Sequence, residues 1–183
     1  REPVDRAFIF RKKYESQRFD RLRRGWSDRP VLKPPFVPAE LPFKPVDFSE
    51  QSIPSLVAEC RIDHAVPSVS QLKGGSSAGY DRWASFKDNG LSAYAARRNT
   101  PQIDGVSRLS PYLHYGMVSP FRLATEARAY GGKGAEKWLD ELLIWRELAH
   151  AWWAFQADVH SIDVLPDWAL RTLRAHQGDT RHA

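Results

Sequence analysis

The sequence predicts a mainly α-helical protein, in which a proline-rich connector precedes the first part of a helical domain. From Lys73 to the carboxyl end, apolar residues recur at the three- and four-residue spacing of helices. The pairs Ser110-Pro111 and Ser119-Pro120 are typical of helix starts, because proline at the first helical position sacrifices no hydrogen bond. Eight prolines between residues 30 and 67 indicate an extended connector, since each one fixes its own backbone and restricts the preceding residue.

Changes in composition divide the chain into three predicted segments. Residues 1–29 are rich in basic and aromatic side chains and are compatible with an amphipathic helix from about residue 11, which we interpret as the tail of a preceding domain. Residues 30–73 form the interdomain linker, with one short helix inside 47–62. Residues 74–183 are the first part of the helical domain.

Composition excludes several classes of protein. The net charge of +5 comes from the first thirty residues, so overall charge is a poor reason to predict DNA binding, although a local cluster can be a good one. No apolar run reaches the length of about 18 residues that a membrane span requires. A single cysteine, Cys60, excludes an intramolecular disulfide and suits a reducing, cytoplasmic compartment. Six histidines show no metal-ligand spacing, so we predict no metal site.

The segment from Gly105 to Pro120 is the most informative part of the helical region. Ser110 and Ser119 are predicted N-caps, because a serine hydroxyl there can accept a hydrogen bond from an amide one turn ahead. Ser107 and Arg108 precede the first of these helix starts. Hydroxyls, a cation and the positive end of a helix would together form a seat for a phosphate. The alternative is an ordinary turn between two helices.

Glycine and proline set the predicted bounds of the shorter helices. Gly116 ends the short helix after Ser110, and Ser76 or Ser77 caps an earlier helix. The predicted helices, in chain order, are Ser76 or Ser77 to Asn89, Leu91 to Arg98, Ser119 to Tyr130, and Pro166 to about Gly178. In the third of these, the residues expected to face inward are Phe121, Leu123, Ala124 and Ala127.

The longest predicted helix covers about residues 135–155. On a helical wheel of about 100° per residue its apolar side chains form one broad arc. The members of this arc are Trp138, Leu139, Leu142, Leu143, Trp145, Ala149, Trp152 and Trp153. Arg146 falls near the middle of the arc, and a buried guanidinium is very costly without an anionic partner. That partner is either an acidic side chain or a phosphate or carboxylate of a ligand, and the sequence leaves both open.

Three motifs carry a family resemblance. They are Gly-Val-Ser-Arg-Leu-Ser-Pro-Tyr-Leu-His-Tyr-Gly at 105–116, Glu-Leu-Leu-Ile-Trp-Arg-Glu at 141–147, and Pro-Asp-Trp-Ala-Leu-Arg-Thr-Leu at 166–173. With these motifs, most of residues 60–183 resembles the photolyase/cryptochrome family, and more closely its class II-like DNA photolyases. The resemblance implies the amino-terminal portion of a helical FAD-binding domain, with residues 1–29 as the tail of an antenna domain.

The resemblance also implies a function. In such proteins, reduced FAD that is excited by blue light passes an electron to a cyclobutane pyrimidine dimer in DNA. The expected activity is therefore that of a deoxyribodipyrimidine photo-lyase, with FAD as cofactor and UV-damaged DNA as substrate. The alternatives are a cryptochrome-like blue-light photoreceptor, which uses the same flavin to signal, and an inactive remnant.

Roles for single residues follow from the resemblance, one by one. Arg98 would face DNA phosphate, and Trp145 and Arg146 would border the flavin and the lesion as catalytic residues, with Trp145 also contacting DNA. The residues implied to bind FAD are Tyr94, Val106, Ser107, Arg108, Leu109, Ser110 and Arg146.

Two positions depart from the family pattern. Val106 stands where many relatives have threonine, which removes one phosphate-facing hydroxyl. Trp145 matches the tryptophan of the class I pattern, whereas Glu141 sits one residue further away, as in class II. The role of Glu141 is therefore left open.

The resemblance further implies that later motifs of the FAD-binding domain lie beyond Ala183. These motifs supply the rest of the flavin cup and the tryptophan electron path. We therefore expect residues 1–183 alone to bind FAD weakly and to repair nothing under blue light. We also expect the tryptophan-rich arc of the longest helix to drive association, because large exposed apolar patches do so.

Overall fold

The computed structural model describes residue 4 and residues 6–23, 40–47, 52–156 and 158–180. Within these ranges the chain forms nine α-helices, one π-helical turn and one 3-10 turn, and it contains no strand. The prediction of a mainly α protein is confirmed. Residues 30–39 and 48–51 of the predicted linker lie outside the described residues, as do Trp26 and residues 181–183.

Eleven helical elements lie along the described residues. A π turn, Glu141–Trp145, joins the seventh and eighth helices into one continuous rod, and a 3-10 turn covers Ile162–Val164. The α-helices are α1 (Ala7–Arg23), α2 (Ile53–Ala58), α3 (Ser76–Asn89), α4 (Tyr94–Arg97), α5 (Ser110–His114), α6 (Pro120–Tyr130), α7 (Gly132–Asp140), α8 (Arg146–Phe155) and α9 (Asp167–Ala175). No helix in the described ranges is long and apolar enough to cross a membrane.

Only one of the two predicted Ser-Pro caps forms. The Ser119 hydroxyl accepts a hydrogen bond from the Arg122 amide at 3.4 Å, so this cap is confirmed. The prediction for Ser110 is wrong, because Leu109 already has helical backbone angles (φ −90°, ψ −6°) and α5 begins at Ser110 itself. A capping side chain needs an extended backbone at the residue before the helix, which Ser119 has and Ser110 lacks.

Glycine sets two other boundaries. The helix α3 begins at Ser76 after Gly75, which has a φ of 100°, so no serine side chain caps it and the predicted serine cap is wrong. Gly116 follows the end of α5 with a φ of 66°, a left-handed angle that favours glycine. The prediction that Gly116 stops this short helix is confirmed.

The main core lies between α3, α6 and α7. Leu91, which follows α3, and Leu109, which precedes α5, are fully buried in it. Its other buried side chains include Trp83, Phe86, Tyr94, Tyr112, Leu123, Ala124, Ala127, Ala135, Trp138, Leu139 and Leu142. Burial of this apolar surface is the main stabilising contribution to the fold. Phe121 was expected inward but is 37% exposed, because it lies at the outer start of α6 under the guanidinium of Arg21.

A second, smaller core joins α1 to the helical body. Phe10 packs with Ile144 of the π turn and Leu148 of α8. Arg11 also forms two hydrogen bonds with the carboxylate of Asp140, at 2.8 and 3.0 Å. The helix α1 is therefore packed against the same body as the later helices, while the division of the chain into three segments stays a prediction.

The π turn overturns part of the predicted apolar arc. Trp138, Leu139 and Leu142 are buried as expected, but beyond them Ile144 and Leu148 face the core, neither of which was assigned to the arc. The prediction of a buried side chain is wrong for Trp145, at the end of the turn, and for Ala149 and Trp153 of α8, which are all exposed. Trp152 is only half-buried. A π turn holds more residues per turn than the 100° wheel assumes, so every later side chain is rotated.

Candidate functional site

A cleft of about 430 Å³ opens on one side of the helical body. Its walls come from α4, the segment before α5, α5 itself, and the rod formed by α7, the π turn and α8. The lining residues are Tyr94, Ser107, Ser110, Leu113, His114, Trp138, Glu141, Leu142, Arg146 and His150. The volume lies in the range of about 300 to 1,000 Å³ that is typical of sites for small molecules and cofactors.

One wall of the cleft is a stripe along the long helical rod. Trp138, Leu142, Arg146 and His150 follow one another at intervals of four residues. Residues four apart on a regular α-helix are offset from one another round the helix axis, and the wider π turn reduces this offset. The stripe therefore presents an indole, an aliphatic side chain, a guanidinium and an imidazole in a row.

The opposite wall is the segment that leads into α5. Gly105 lies so close to the end of α4 that a Cβ atom there would stand 2.6 Å from the Arg97 carbonyl oxygen. The backbone carbonyl of Ser107 accepts a hydrogen bond of 3.0 Å from Nε of Arg82. These contacts fix the segment against α3 and α4, so that Ser107 and Ser110 border the cleft.

Four of the seven residues that the family resemblance assigned to FAD line this single cleft. They are Tyr94, Ser107, Ser110 and Arg146. The other three, Val106, Arg108 and Leu109, are not among its lining residues. Leu109 is buried in the main core, and Val106 carries no polar group.

Arg108 is held away by a local ion pair. Its Nε lies 2.9 Å from Oδ1 of Asp104, and its backbone has a left-handed φ of 53°. The hydrogen bond from Arg108 lowers the pKa of Asp104, with Arg82 adding a smaller effect in the same direction. The seat for a phosphate that was predicted from Ser107, Arg108 and a capped helix start is therefore not formed as expected.

The two open alternatives for Arg146 are resolved in part. Its side chain is 34% exposed rather than buried, and Nη1 forms an ion pair of 2.8 Å with Oε1 of Glu147. An acidic side chain thus meets this guanidinium, which also lines the cleft. Trp145, the preceding residue, is 49% exposed and is not among the lining residues.

Glu141 brings a carboxylate to the cleft that two cations already neutralise. Its Oε1 lies 2.7 Å from Nη2 of Arg98 and 2.7 Å from Nζ of Lys137. The guanidinium of Arg98 also lies 5.9 Å from the centre of the Tyr94 ring. Arg98, which was expected to face DNA, is thus held by contacts within the protein, with a quarter of its side chain exposed.

The sequence assigned four of the ten lining residues to the site and left out the other six. Leu113 and His114 lie inside the quoted motif at 105–116 but were assigned no role, and His150 was not considered. The four-residue spacing of Trp138, Leu142, Arg146 and His150 was the available signal. No group of three His, Cys, Asp or Glu side chains in the described ranges is arranged to hold a metal ion.

The chemistry of the lining residues suits a ligand with a planar ring and an anionic group. The largely buried rings of Trp138 and Tyr94 border the cleft, and Leu113 and Leu142 add apolar contacts. The hydroxyls of Ser107 and Ser110, together with the guanidinium of Arg146 and the two imidazoles, supply hydrogen-bond donors. Within the part of the chain that the structure describes, the fold and the cleft thus define a helical domain with a polar-rimmed site.

The comparisons with known proteins agree with the three motifs. The chain is 36% identical over 115 residues to a deoxyribodipyrimidine photo-lyase of Methanothermobacter thermautotrophicus, an alignment covering 63% of the chain and 25% of that protein. It is 29% identical over 155 residues to the photo-lyase of Potorous tridactylus, covering 83% of the chain and 28% of the relative. It is 31% identical over 163 residues to the photo-lyase of Oryza sativa subsp. japonica, covering 84% and 32%. No protein-family model matches the chain.

The chain belongs to the photolyase/cryptochrome family. It spans about a quarter to a third of the length of the curated relatives named above.

Proposed function

We propose that this chain forms part of the FAD site of a class II-like deoxyribodipyrimidine photo-lyase, which repairs cyclobutane pyrimidine dimers in UV-damaged DNA under blue light. One observation carries the proposal. Tyr94, Ser107, Ser110 and Arg146, which the family resemblance assigns to FAD contacts, line the same cleft although they come from three separate parts of the chain.

The cleft residues fit FAD in their chemistry. Ser107, Ser110 and Arg146 would bind the diphosphate, because hydroxyl and guanidinium donors match anionic oxygens. Trp138 and Tyr94 would pack against the planar parts of the cofactor and exclude water from it. When bound in its reduced form, FAD supplies the electron that splits the dimer.

The residues proposed to meet DNA are Trp145 and Arg98. Trp145 offers a half-exposed indole next to Arg146, and base stacking on such a ring contributes roughly 1 to 3 kcal/mol. Arg98 carries a guanidinium with five N–H donors, and the ion pair with Glu141 restricts its orientation. Because the side chain is already ordered, a contact from Arg98 to a DNA phosphate would cost little further conformational entropy.

The test is FAD binding followed by repair. In the full-length protein that contains this chain, we expect the triple variant Ser107→Ala/Ser110→Ala/Arg146→Ala to lose most FAD affinity, measured by quenching of flavin fluorescence. The matched control is Ser85→Ala/Arg171→Ala, which removes an exposed serine and an exposed arginine outside the cleft. Undiminished FAD affinity in the triple variant would refute the assignment of the cleft. In the full-length protein that contains this chain, tight FAD binding without light-dependent dimer repair would favour the cryptochrome-like photoreceptor instead.

A further inference from the structure

A chain of ion pairs runs from α1 to the wall of the cleft. Its members are Arg11, Asp140, Lys137, Glu141 and Arg98, which alternate in the sign of their charge. We call this set the ionic chain. Each member is between 17% and 38% exposed, so the set is partly shielded from solvent.

The outer end of the ionic chain is geometrically well defined. Nε and Nη2 of Arg11 donate to the two carboxylate oxygens of Asp140 at 2.8 and 3.0 Å, across 129 positions of sequence. A guanidinium that donates hydrogen bonds to both oxygens of a carboxylate fixes the relative orientation of the two side chains as well as their distance. Arg11 therefore holds the last residue of α7 at the point where the π turn begins.

Lys137 connects Asp140 to Glu141, the next residue of the chain. Its Nζ lies 3.2 Å from Oδ2 of Asp140 and 2.7 Å from Oε1 of Glu141. The hydrogen bond with Glu141 raises the pKa of Lys137 against the opposing effect of burial, and Asp140 adds to the rise. Burial alone would raise the pKa of Asp140, but the hydrogen bonds from Arg11 and Lys137 outweigh it and lower that pKa.

The inner end of the ionic chain belongs to the cleft. Glu141 lines the cleft, and its partner Arg98 lies over the ring of Tyr94, another lining residue. On the outer side, Phe10 of α1 packs against Ile144 inside the π turn. The helix α1 thus contacts the outer face of the same turn whose inner face forms the cleft wall.

A π turn is a point where a helix has two registers available. Its hydrogen bonds span one residue more than those of an α-helix, so relaxation to α geometry would rotate the residues that follow. In this chain such a rotation would displace Arg146 and His150 from the cleft wall. Contacts from other elements that stabilise the π turn therefore help to keep these two residues at the cleft wall.

We propose that Arg11 is a positioning residue for the cleft, and that it acts through the ionic chain on Glu141 and on the register of the π turn. Arg11 itself does not line the cleft. The identity of the ligand, FAD, rests on the proposed function, whereas the effect of Arg11 on the π turn does not. The experiment therefore has one readout with ligand and one without.

The variant is Arg11→Gln in the otherwise unchanged protein, with Lys12→Gln as the matched control. Lys12 is the next residue of α1 and is exposed. Without ligand, we expect faster amide hydrogen exchange in residues 141–145 of Arg11→Gln, with little change in α3 and α6. With ligand, we expect FAD to bind about two- to fivefold more weakly, the range of a partly exposed ion pair.

A double-mutant cycle separates positioning from a general loss of stability. In the Glu141→Gln background, where the ionic chain is already broken, Arg11→Gln should cause no further loss of FAD affinity. Leu123→Val, which destabilises the main core elsewhere, should lower the melting temperature without changing the affinity of the folded protein.

Three outcomes would overturn the proposal. They are unchanged exchange in residues 141–145, an exchange increase spread evenly over all helices, and an equal loss of FAD affinity in both backgrounds. A full-length parent protein that binds no FAD would refute the proposed function instead, and the exchange measurement would still decide the role of Arg11.

Discussion

The indole N–H of Trp83 donates a hydrogen bond of 2.8 Å to Oε2 of Glu126, which lies 43 positions later in the chain. The ring centre of Trp83 is 4.8 Å from that of Trp138, a residue that lines the cleft. A partly exposed carboxylate on α6 therefore supports, through one buried indole, the wall of the candidate site.

The stability of the protein should depend on the charge of Glu126. Burial raises the pKa of this carboxyl, but hydrogen bonds from Lys87, Arg122 and Trp83 outweigh burial and lower it to about 2. Because the folded pKa is below the unfolded one, the stabilisation is complete above about pH 5 and is lost as pH falls toward 2. The lowered pKa of Glu126 contributes at most about 3 kcal/mol to the free energy of unfolding.

Urea unfolding at pH 7, 4.5 and 3 checks this prediction. Glu126→Gln should be less stable than the parent at pH 7, and its stability should fall less between pH 4.5 and 3. Glu136→Gln, which alters an exposed carboxylate of α7, should keep the pH dependence of the parent. A parent-like slope in Glu126→Gln would contradict the assignment.

The two Ser-Pro pairs should respond differently to alanine. Ser119→Ala removes a formed cap and should lower the free energy of unfolding by about 1 kcal/mol. Ser110→Ala removes no cap and should leave stability within about 0.5 kcal/mol of the parent, while weakening FAD binding. Chemical unfolding and flavin titration of both variants check the pair. Equal destabilisation by the two substitutions would mean that Ser110 caps α5 after all.

Trp145 should matter for damaged DNA more than for folding. Its indole is half exposed, so Trp145→Ala should cost little stability, and in the full-length protein it should weaken binding to dimer-containing DNA by roughly 1 to 3 kcal/mol. Trp168→Ala, on a residue that is 67% exposed, is the control. Binding to damaged and undamaged duplexes is compared by fluorescence anisotropy. A loss of the same size on both duplexes would argue against stacking on the lesion.

Gly134 should not tolerate a side chain. A Cβ atom at this position would collide with the carbonyl oxygens of Leu91 and Ser92, where α7 crosses the α3–α4 connection. Because both neighbours are backbone atoms, Gly134→Ala should lower stability by about 1 to 3 kcal/mol or more. Gly178→Ala, which has open space around it, should cost nothing comparable. Thermal unfolding of the two variants measures this difference in stability, and equal melting temperatures would contradict the prediction.

The sequence predicted helix starts and ends where local chemistry determines them. Ser119 has the extended backbone of a cap, Gly90 follows the end of α3, and Gly131 follows the end of α6. The Ser110 prediction failed because a cap depends on the backbone angles of the preceding residue, which the pair Ser-Pro does not specify. Here Leu109 is drawn into the core, and its backbone is already helical.

The cleft was predictable only in part for a similar reason. Family motifs identified Tyr94, Ser107, Ser110 and Arg146, since these residues lie in or near recognisable runs of sequence. The pairing of Arg98 with Glu141 joins residues 43 positions apart, and that of Arg11 with Asp140 joins residues 129 apart. Such pairs depend on how helices pack, and a helical wheel drawn for one helix carries no information about them.

The π turn has a consequence for how related chains are aligned. Its hydrogen bonds accommodate one residue more than an uninterrupted α-helix between the same end points. A homologue with one residue fewer between Glu141 and Trp145 would thus continue as plain α-helix, and the residues on both sides of the turn would keep the directions seen here. An alignment without a gap at the turn would instead match residues that lie about 100° apart round the helix. The gap belongs inside residues 142–144, so that Glu141 and Arg146 keep their partners.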